Sequence, residues 1–143
     1  MPSLVRTIAK GRSRRGTAAV EFAVVAPVVI LLVFGAIEFG RAMFLQHAAV
    51  NAARAACRQG ILGSASNNTI QSTASTALQG VGLSGGTVTI LVGGESGRDT
   101  NTAAPGETVE VRVNIPYGSN SWLPLPRYLG QKSLAGRVTM AKE

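Results

Sequence analysis

The chain has 143 residues, enough for one domain, and a formal net charge of +7. Five of its 14 basic residues lie in the first 16 positions without an acid among them, which leaves nine basic against seven acidic residues elsewhere. The basic excess therefore belongs to the N-terminus. Only seven aromatic residues are present, and none alternates with a basic patch, so this layout argues against nucleic-acid binding.

The chain has one cysteine, Cys57, and one histidine, His47. A disulfide within the chain and a thiolate metal site are therefore excluded, and no nucleophile–histidine arrangement has a supporting cluster. We expect Cys57 to be a small buried hydrophobe, with intermolecular pairing left open in an oxidising compartment. We expect His47 to be an ordinary helical residue. The sequence predicts no enzyme, no cofactor, no metal site and no small-molecule substrate.

Residues 1–16 predict a basic cytoplasmic leader, and residues 17–39 predict a transmembrane helix. The second segment contains sixteen consecutive uncharged residues, FAVVAPVVILLVFGAI. A helix over residues 17–39 is about 35 Å long, and a bilayer's hydrocarbon core is about 30 Å thick. The denser positive charge precedes the segment, so the C-terminal part should face outward. Pro27 lies inside the segment and predicts a kink, because it cannot donate a backbone hydrogen bond.

Residues 40–62 predict an extracytoplasmic continuation of the same helix, which ends near Leu62 before Gly63. Helical spacing gives this segment a stripe of mostly small side chains, which lets a sheet or helix approach closely. The predicted stripe consists of Phe44, Ala48, Ala52, Ala55 and Gln59.

Residues 63–143, called the head here, predict a small α+β domain. A short helix is expected from about Asn67 to Gln79, and three segments have strand-like alternation. These strand segments are residues 86–93, 107–115 and 133–141. We predict an antiparallel three-stranded sheet packed on the upper half of the long helix, since about 80 residues alone give a thin core.

Two loop segments of the head call for an explanation. The glycine-rich GGESGRD, residues 93–99, lacks the Lys-Ser/Thr pair and following helix of a phosphate loop, so it predicts a flexible connection. Glu95, Asp99 and Asn101 could surround a hard cation, although their spacing matches no calcium loop. In residues 116–128, aromatic side chains predict either an aromatic-anchored loop packed on the sheet or a surface that contacts a partner. These aromatic residues are Tyr117, Trp122 and Tyr128.

The stretch SRRGTAAVEFAVV, residues 13–25, places Glu21 just inside the apolar run. A carboxylate at the bilayer centre costs about 2.5–3.5 kcal/mol on insertion scales. The helix dipole favours an acid near a helix start, but it does not account for Gly16, the arginines and Phe22 together.

The stretch resembles a type IV prepilin processing signal, in the variant of tight-adherence (Flp-type) pili. Roughly the first 56 residues are similar to the TadE-like family of pseudopilins. The resemblance implies that a membrane prepilin peptidase cuts between Gly16 and Thr17 and removes a leader that includes Arg12, Arg14 and Arg15. It implies that Glu21 then faces a new α-amino group, its own or a neighbour's, and that Glu21 and Phe22 serve assembly and recognition.

Thr17, Phe22 and the presence of a head depart from major pilins, which favours a minor pseudopilin. The resemblance implies a single-pass protein of the cytoplasmic membrane with its N-terminus in the cytoplasm, and it leaves open whether the protein enters the pilus or stays in the membrane. Its implied partners are the peptidase and other pilin-like subunits, which contact its N-terminal helix. As an alternative, residues 1–42 form an ordinary signal peptide cut near GRA, or an uncut anchor, for a binding domain. Arg41 beside that cut is unfavourable.

Overall fold

The computed structural model of the chain describes residues 13–62, 65–120 and 131–143, with side chains described from residue 16 onward. The described elements are two α-helices, four strands and two short 3-10 helices. They are α1 (Ser13–Ile61), α2 (Asn67–Gln79), β1 (Thr87–Val92), β2 (Glu95–Ser96), β3 (Thr108–Pro116) and β4 (Ser133–Ala141), with 3-10 turns at Thr100–Thr102 and Gly118–Asn120.

The chain divides into two compact units, Met1–Ile37 and Glu38–Glu143. In the described part of the first unit, α1 is helical from Ser13 and runs through Pro27 without interruption. Its large apolar side chains are exposed on all sides, with Phe22 73% exposed. Among the described residues, α1 is the one helix long and apolar enough, by length and composition, to cross a membrane.

The second unit contains an antiparallel sheet in the order β2-β1-β3-β4. The α+β class is confirmed, but the predicted strand count was wrong, because four strands form instead of three. The additional strand, Glu95–Ser96, lies in the glycine-rich segment that the sequence predicted to be a flexible connection. Val92 pairs with Glu95, so Gly93 and Gly94 form a two-residue turn with φ values of 59° and 88°. Positive φ at both positions is typical of the tight hairpin turns that glycine favours.

The core of the second unit lies between one face of the sheet and α1. Alternate residues of β3 are fully buried there, as the sequence predicted, and they are Val109, Val111, Val113 and Ile115. β4 also matches its predicted range, with Leu134, Val138 and Met140 packed against the core.

The helical stripe that faces the core differs from the predicted one. Its buried residues are Leu45, Ala49, Ala52, Ala53, Ala56, Cys57 and Gly60. Of the predicted stripe, only Ala52 is buried, whereas Phe44 and Ala55 are exposed. A Cβ added at Gly136 of β4 would overlap the backbone of Ala49 and Val50. Because strand and helix backbones approach this closely, the contacting face accepts alanine and glycine but not phenylalanine.

Helix α2 has the predicted bounds. The Ser66 side chain caps its start by accepting a hydrogen bond from the Thr69 N–H, and this is a residue type favoured at N-caps. Ile70, Ala74 and Leu78 are buried at helical spacing, so α2 covers part of the core with one apolar face.

Candidate functional site

The predicted processing and assembly residues lie at the start of α1. Gly16 is helical, and Thr17, Glu21 and Phe22 are exposed. Arg12 and the side chains of Arg14 and Arg15 lie outside the described residues. Thr17 and Glu21 are four residues apart in a helix, so they lie on the same face one turn from each other. A cut after Gly16 would therefore place the new α-amino group within about one turn of the Glu21 carboxylate.

The apolar segment that follows has no polar face. Valine, leucine, isoleucine and phenylalanine side chains from Val20 to Ile37 are largely exposed, and Glu21 is the one charged residue among them. A helix that is apolar all round is typical of a membrane span or of a helix buried among others. This surface suits lipid or the apolar surface of another helix.

In the second unit, Tyr117 joins the end of β3 to α1. Tyr117 is only 5% exposed, and its hydroxyl donates a hydrogen bond to the Glu38 carboxylate. Nearby, Arg41 Nε donates to the Asn120 carbonyl over 2.7 Å. Burial, together with the hydrogen bond and charge of Glu38, raises the pKa of Tyr117 to about 12. Tyr117 is thus a packed residue rather than an exposed contact.

Trp122 and Tyr128, the other two residues of the predicted surface contact, lie outside the described residues. Their role as contacts stays a prediction.

A second charged cluster lies on the sheet face opposite α1. Glu110 is 9% exposed and binds Arg137 through two bonds, Nε to Oε1 at 2.7 Å and Nη2 to Oε2 at 2.8 Å. Arg112 Nε also donates to the Glu110 carboxylate. Burial alone would raise the pKa of Glu110, but the bonds and charges of the two arginines outweigh it and lower the pKa. The alternation of residues 107–115 places Glu110 on the face away from the core, where a solvated carboxylate is the usual expectation.

The loop after β2 is held by one ion pair of its own and by bonds to α2 and to the residue after β4. Arg98 binds the Glu107 carboxylate at 2.5 and 2.9 Å, and this hydrogen bonding lowers the pKa of Glu107. Asp99 Oδ1 accepts from the Asn67 N–H at 3.1 Å, and the Lys142 ammonium donates to the Thr100 carbonyl at 2.8 Å. Within the described ranges, no three histidine, cysteine or acidic side chains come together. In the structure, the Asp99 carboxylate binds the first N–H of α2, and the Lys142 ammonium binds a carbonyl of the same loop. These groups at the suggested cation site thus already have protein partners.

Cys57 is fully buried, as predicted, and its thiol lies 3.3 Å from the Val109 carbonyl, to which it donates. His47 is exposed on α1. A buried thiol cannot reach another chain while the fold is intact.

These features define a class of protein, an α+β chain whose N-terminal helix has the length and composition of a membrane span. Residues 16–58 match a family model described as TadE-like protein. This match confirms the resemblance noted in the sequence and makes the segment TadE-like; it begins at Gly16 and ends before the head. No curated protein and no solved structure matches the chain.

Proposed function

We propose that the chain is a minor pseudopilin, an assembly component of a tight-adherence (Flp) type IV pilus or a related secretion system. The observation that carries the proposal is the TadE-like segment, residues 16–58, which begins at the glycine expected to precede the cut. That segment indicates association with a Tad pilus, while the minor role is proposed because the chain also carries an α+β head. The role is structural rather than enzymatic.

In this proposal a prepilin peptidase cuts between Gly16 and Thr17 on the cytoplasmic side. Gly16 has no side chain and can adopt an extended conformation at little cost, so the backbone at the proposed cut is accessible to a peptidase. The cut removes the basic leader and creates an ammonium near Glu21. A carboxylate and an ammonium paired in a low-dielectric medium offset each other's burial, whereas either alone is costly.

The proposed location is the cytoplasmic membrane, with the chain crossing once and its N-terminus in the cytoplasm. The basic residues before the apolar segment support this orientation, because positive charge is retained on the cytoplasmic side. The proposed partners are the peptidase and pilin-like subunits whose helices pack on the exposed apolar surface of α1.

The cut is tested by producing the full chain with an active prepilin peptidase and determining its N-terminus by intact mass and N-terminal sequencing. We expect a mature form that starts at Thr17, and we expect Gly16→Leu to stay uncut. Gly35→Leu is the matched control, because a Cβ at either glycine meets open space. A wild-type chain that starts only at residue 1 would contradict the proposed processing.

The assembly role of Glu21 is tested by Glu21→Ala. We expect the variant to insert in the membrane at least as well, since a charge is removed from an apolar segment. We expect it to recover about tenfold less of the pilin-like subunits, because the new ammonium loses its partner. Val25→Ala, on the same exposed helix, should co-purify normally. Unchanged co-purification of the Glu21→Ala chain would remove the basis for a docking role.

The alternative function, a binding domain released by a signal-peptide cut near GRA, is less well supported. α1 is continuous through Arg41, and the Arg41 guanidinium is hydrogen-bonded to Asn120 in the second unit. A cut there would remove that bond.

A further inference from the structure

β4 forms an edge of the sheet and is nine residues long. It contains no proline, and its one charged residue is Arg137. The strand at the opposite edge, β2, has only two residues. Long edge strands present unpaired backbone groups that invite another strand, and proteins usually protect such edges with proline, charge or short length. β4 has little protection of this kind.

The register shows which backbone groups of β4 point away from β3. The Tyr117 N–H donates to the Lys132 carbonyl at 2.9 Å, and the Lys142 N–H donates to the Glu107 carbonyl at 2.8 Å. Because hydrogen-bonded and non-hydrogen-bonded pairs alternate in an antiparallel ladder, Arg137 and Thr139 occupy non-hydrogen-bonded pairs. Their N–H and C=O groups therefore point outward from the sheet.

α1 covers only one half of this edge. The Gln46 side-chain amide donates to the outward carbonyl of Ala135 at 2.9 Å. Within the part of the chain that the structure describes, no group binds the outward N–H and C=O of Arg137 or Thr139. The open part of the edge is thus its C-terminal half, called the free edge here, from Arg137 to Ala141.

A cavity of about 580 Å³ lies beside the free edge. Its apolar lining comes from the C-terminal end of α1, the residue that follows it, and the core-facing side of β4, namely Ala55, Ile61, Leu62 and Met140. None of its lining residues belongs to β1 or β3, so the cavity, called the edge groove here, lies on the open side of β4. A strand added to the free edge would direct every second side chain into this groove.

Charge distinguishes the two faces of such an added strand. On the outer face, Arg112 and Arg137 share the single carboxylate of Glu110, which leaves a positive excess beside the free edge. The lining of the edge groove carries one basic and one acidic side chain, Arg58 and Glu143, so their formal charges sum to zero. The surroundings therefore favour acidic side chains on the outer face and apolar side chains towards the groove.

We propose that the free edge binds an extended strand of a partner protein, with acidic residues beside Arg137 alternating with apolar residues in the edge groove. In this mode of recognition, main-chain hydrogen bonds supply affinity and the alternating side chains supply specificity. The proposal concerns the second unit alone and does not depend on processing after Gly16.

The test measures binding of a fluorescent heptapeptide of alternating valine and glutamate to the full chain in detergent, by anisotropy. We expect saturable binding, and about tenfold weaker binding when lysine replaces glutamate, because of the positive outer face. Residues opposite Arg137 and Thr139 carry outer-face side chains, so the glutamate amides should face β4. Methylating the glutamate amide nitrogens should abolish binding, while methylating those of valine should not.

Thr139→Pro removes one outward N–H without removing a bond to β3, so it should weaken peptide binding about tenfold while retaining the circular dichroism spectrum. Thr139→Val keeps that N–H and serves as the control. Equal binding of the two methylated peptides, no preference for glutamate over lysine, or no binding at all would overturn the proposal. Concentration-dependent dimerisation that Thr139→Pro abolishes, without peptide binding, would overturn it in favour of a second copy.

Discussion

At the scale of single residues, Gly136 determines how closely β4 and α1 approach. Glycine usually weakens a strand, because it loses more backbone conformational entropy on folding than other residues and has no side chain to pack. Here the position adjoins the backbone of Ala49 and Val50, and a Cβ has no room. The close approach brings the alanine stripe of α1 against the sheet. Glycine at position 136 permits this approach because it has no side chain.

We expect Gly136→Ala to lower the free energy of unfolding by about 1–3 kcal/mol, the usual cost of overpacking a tight core. Gly40→Ala is the matched control. A Cβ at Gly40 meets open space, so the same substitution in α1 should stabilise the chain by about 0.5–1 kcal/mol. Urea unfolding of the full chain in detergent measures both. Stabilisation by both variants would show that β4 and α1 are not in close contact.

Glu110 shows how a residue in a polar strand position can become buried. Its neighbours in sequence place it on the outward face of β3, but Arg137, 27 positions later, folds over it from β4. The strand pattern alone could not reveal this burial, because the covering group comes from another strand. The pair of arginines keeps the carboxylate ionised despite its low exposure.

Because the folded-state pKa of Glu110 is lowered, its contribution to stability is present above the unfolded value of about 4.3 and is lost as pH falls through the folded value. We expect Glu110→Gln to lower the thermal midpoint of unfolding at neutral pH. The difference in midpoint between the variant and the wild type should become smaller as the pH falls, because the wild-type carboxylate is then protonated. Glu95→Gln, at an exposed position of β2, should leave the profile unchanged. A constant difference at every pH would contradict the ion-pair explanation. Glu107, whose pKa is also lowered, supplies part of the acid sensitivity that remains.

At the scale of elements, local pattern predicted α2, β3 and β4 well, because each alternates apolar and polar residues at one clear period. The stripe of α1 was misplaced for a physical reason. Residues 48–56 contain alanine on several sides of the helix, so composition does not fix which side is buried. Gly136 fixes it, from another element. The missed strand β2 did have a local signal, two glycines between short strand segments, as in tight hairpins.

The contact between Tyr117 and α1 gives an element-scale prediction. In Tyr128→Phe, Tyr117 is the remaining tyrosine, and we expect its phenolate absorbance to appear only near pH 12. In urea it should titrate at about 10, the unperturbed value. Since the folded pKa is raised, the stabilisation is present below about pH 10 and is lost as pH rises towards the folded value. Ionisation near pH 10 in the folded chain would show that the hydroxyl is not bonded to Glu38.

At the scale of the whole molecule, the sequence predicts the N-terminal motif but not the free edge and its groove. The apolar segment and the motif around Gly16 and Glu21 are contiguous, so they were visible in the sequence. The free edge and edge groove combine β4 with the flank of α1 and could not be predicted from either segment. Their geometry depends on the strand order and on the register of β3 and β4.

The division into two units gives the last prediction. All buried apolar residues named in the core lie at or beyond Leu45, inside the unit Glu38–Glu143, while the described apolar side chains before Glu38 are largely exposed. Residues 38–143 produced alone should therefore fold in aqueous buffer without detergent, since the exposed apolar surface of residues 20–37 is absent. We expect a mixed helix and strand circular dichroism spectrum and a single cooperative thermal transition.

The matched control is the same fragment with Gly136→Ala, which should unfold about 4–8 °C lower if it loses about 1 kcal/mol, as expected for a domain of this size. A fragment that aggregates, or that retains secondary structure without a cooperative transition, would show that residues before Glu38 contribute to the core. A cooperative fragment with the expected shift would show that the helix–sheet contact at Gly136 stabilises the second unit by itself. The apolar segment would then be free to meet lipid or other helices without cost to the fold.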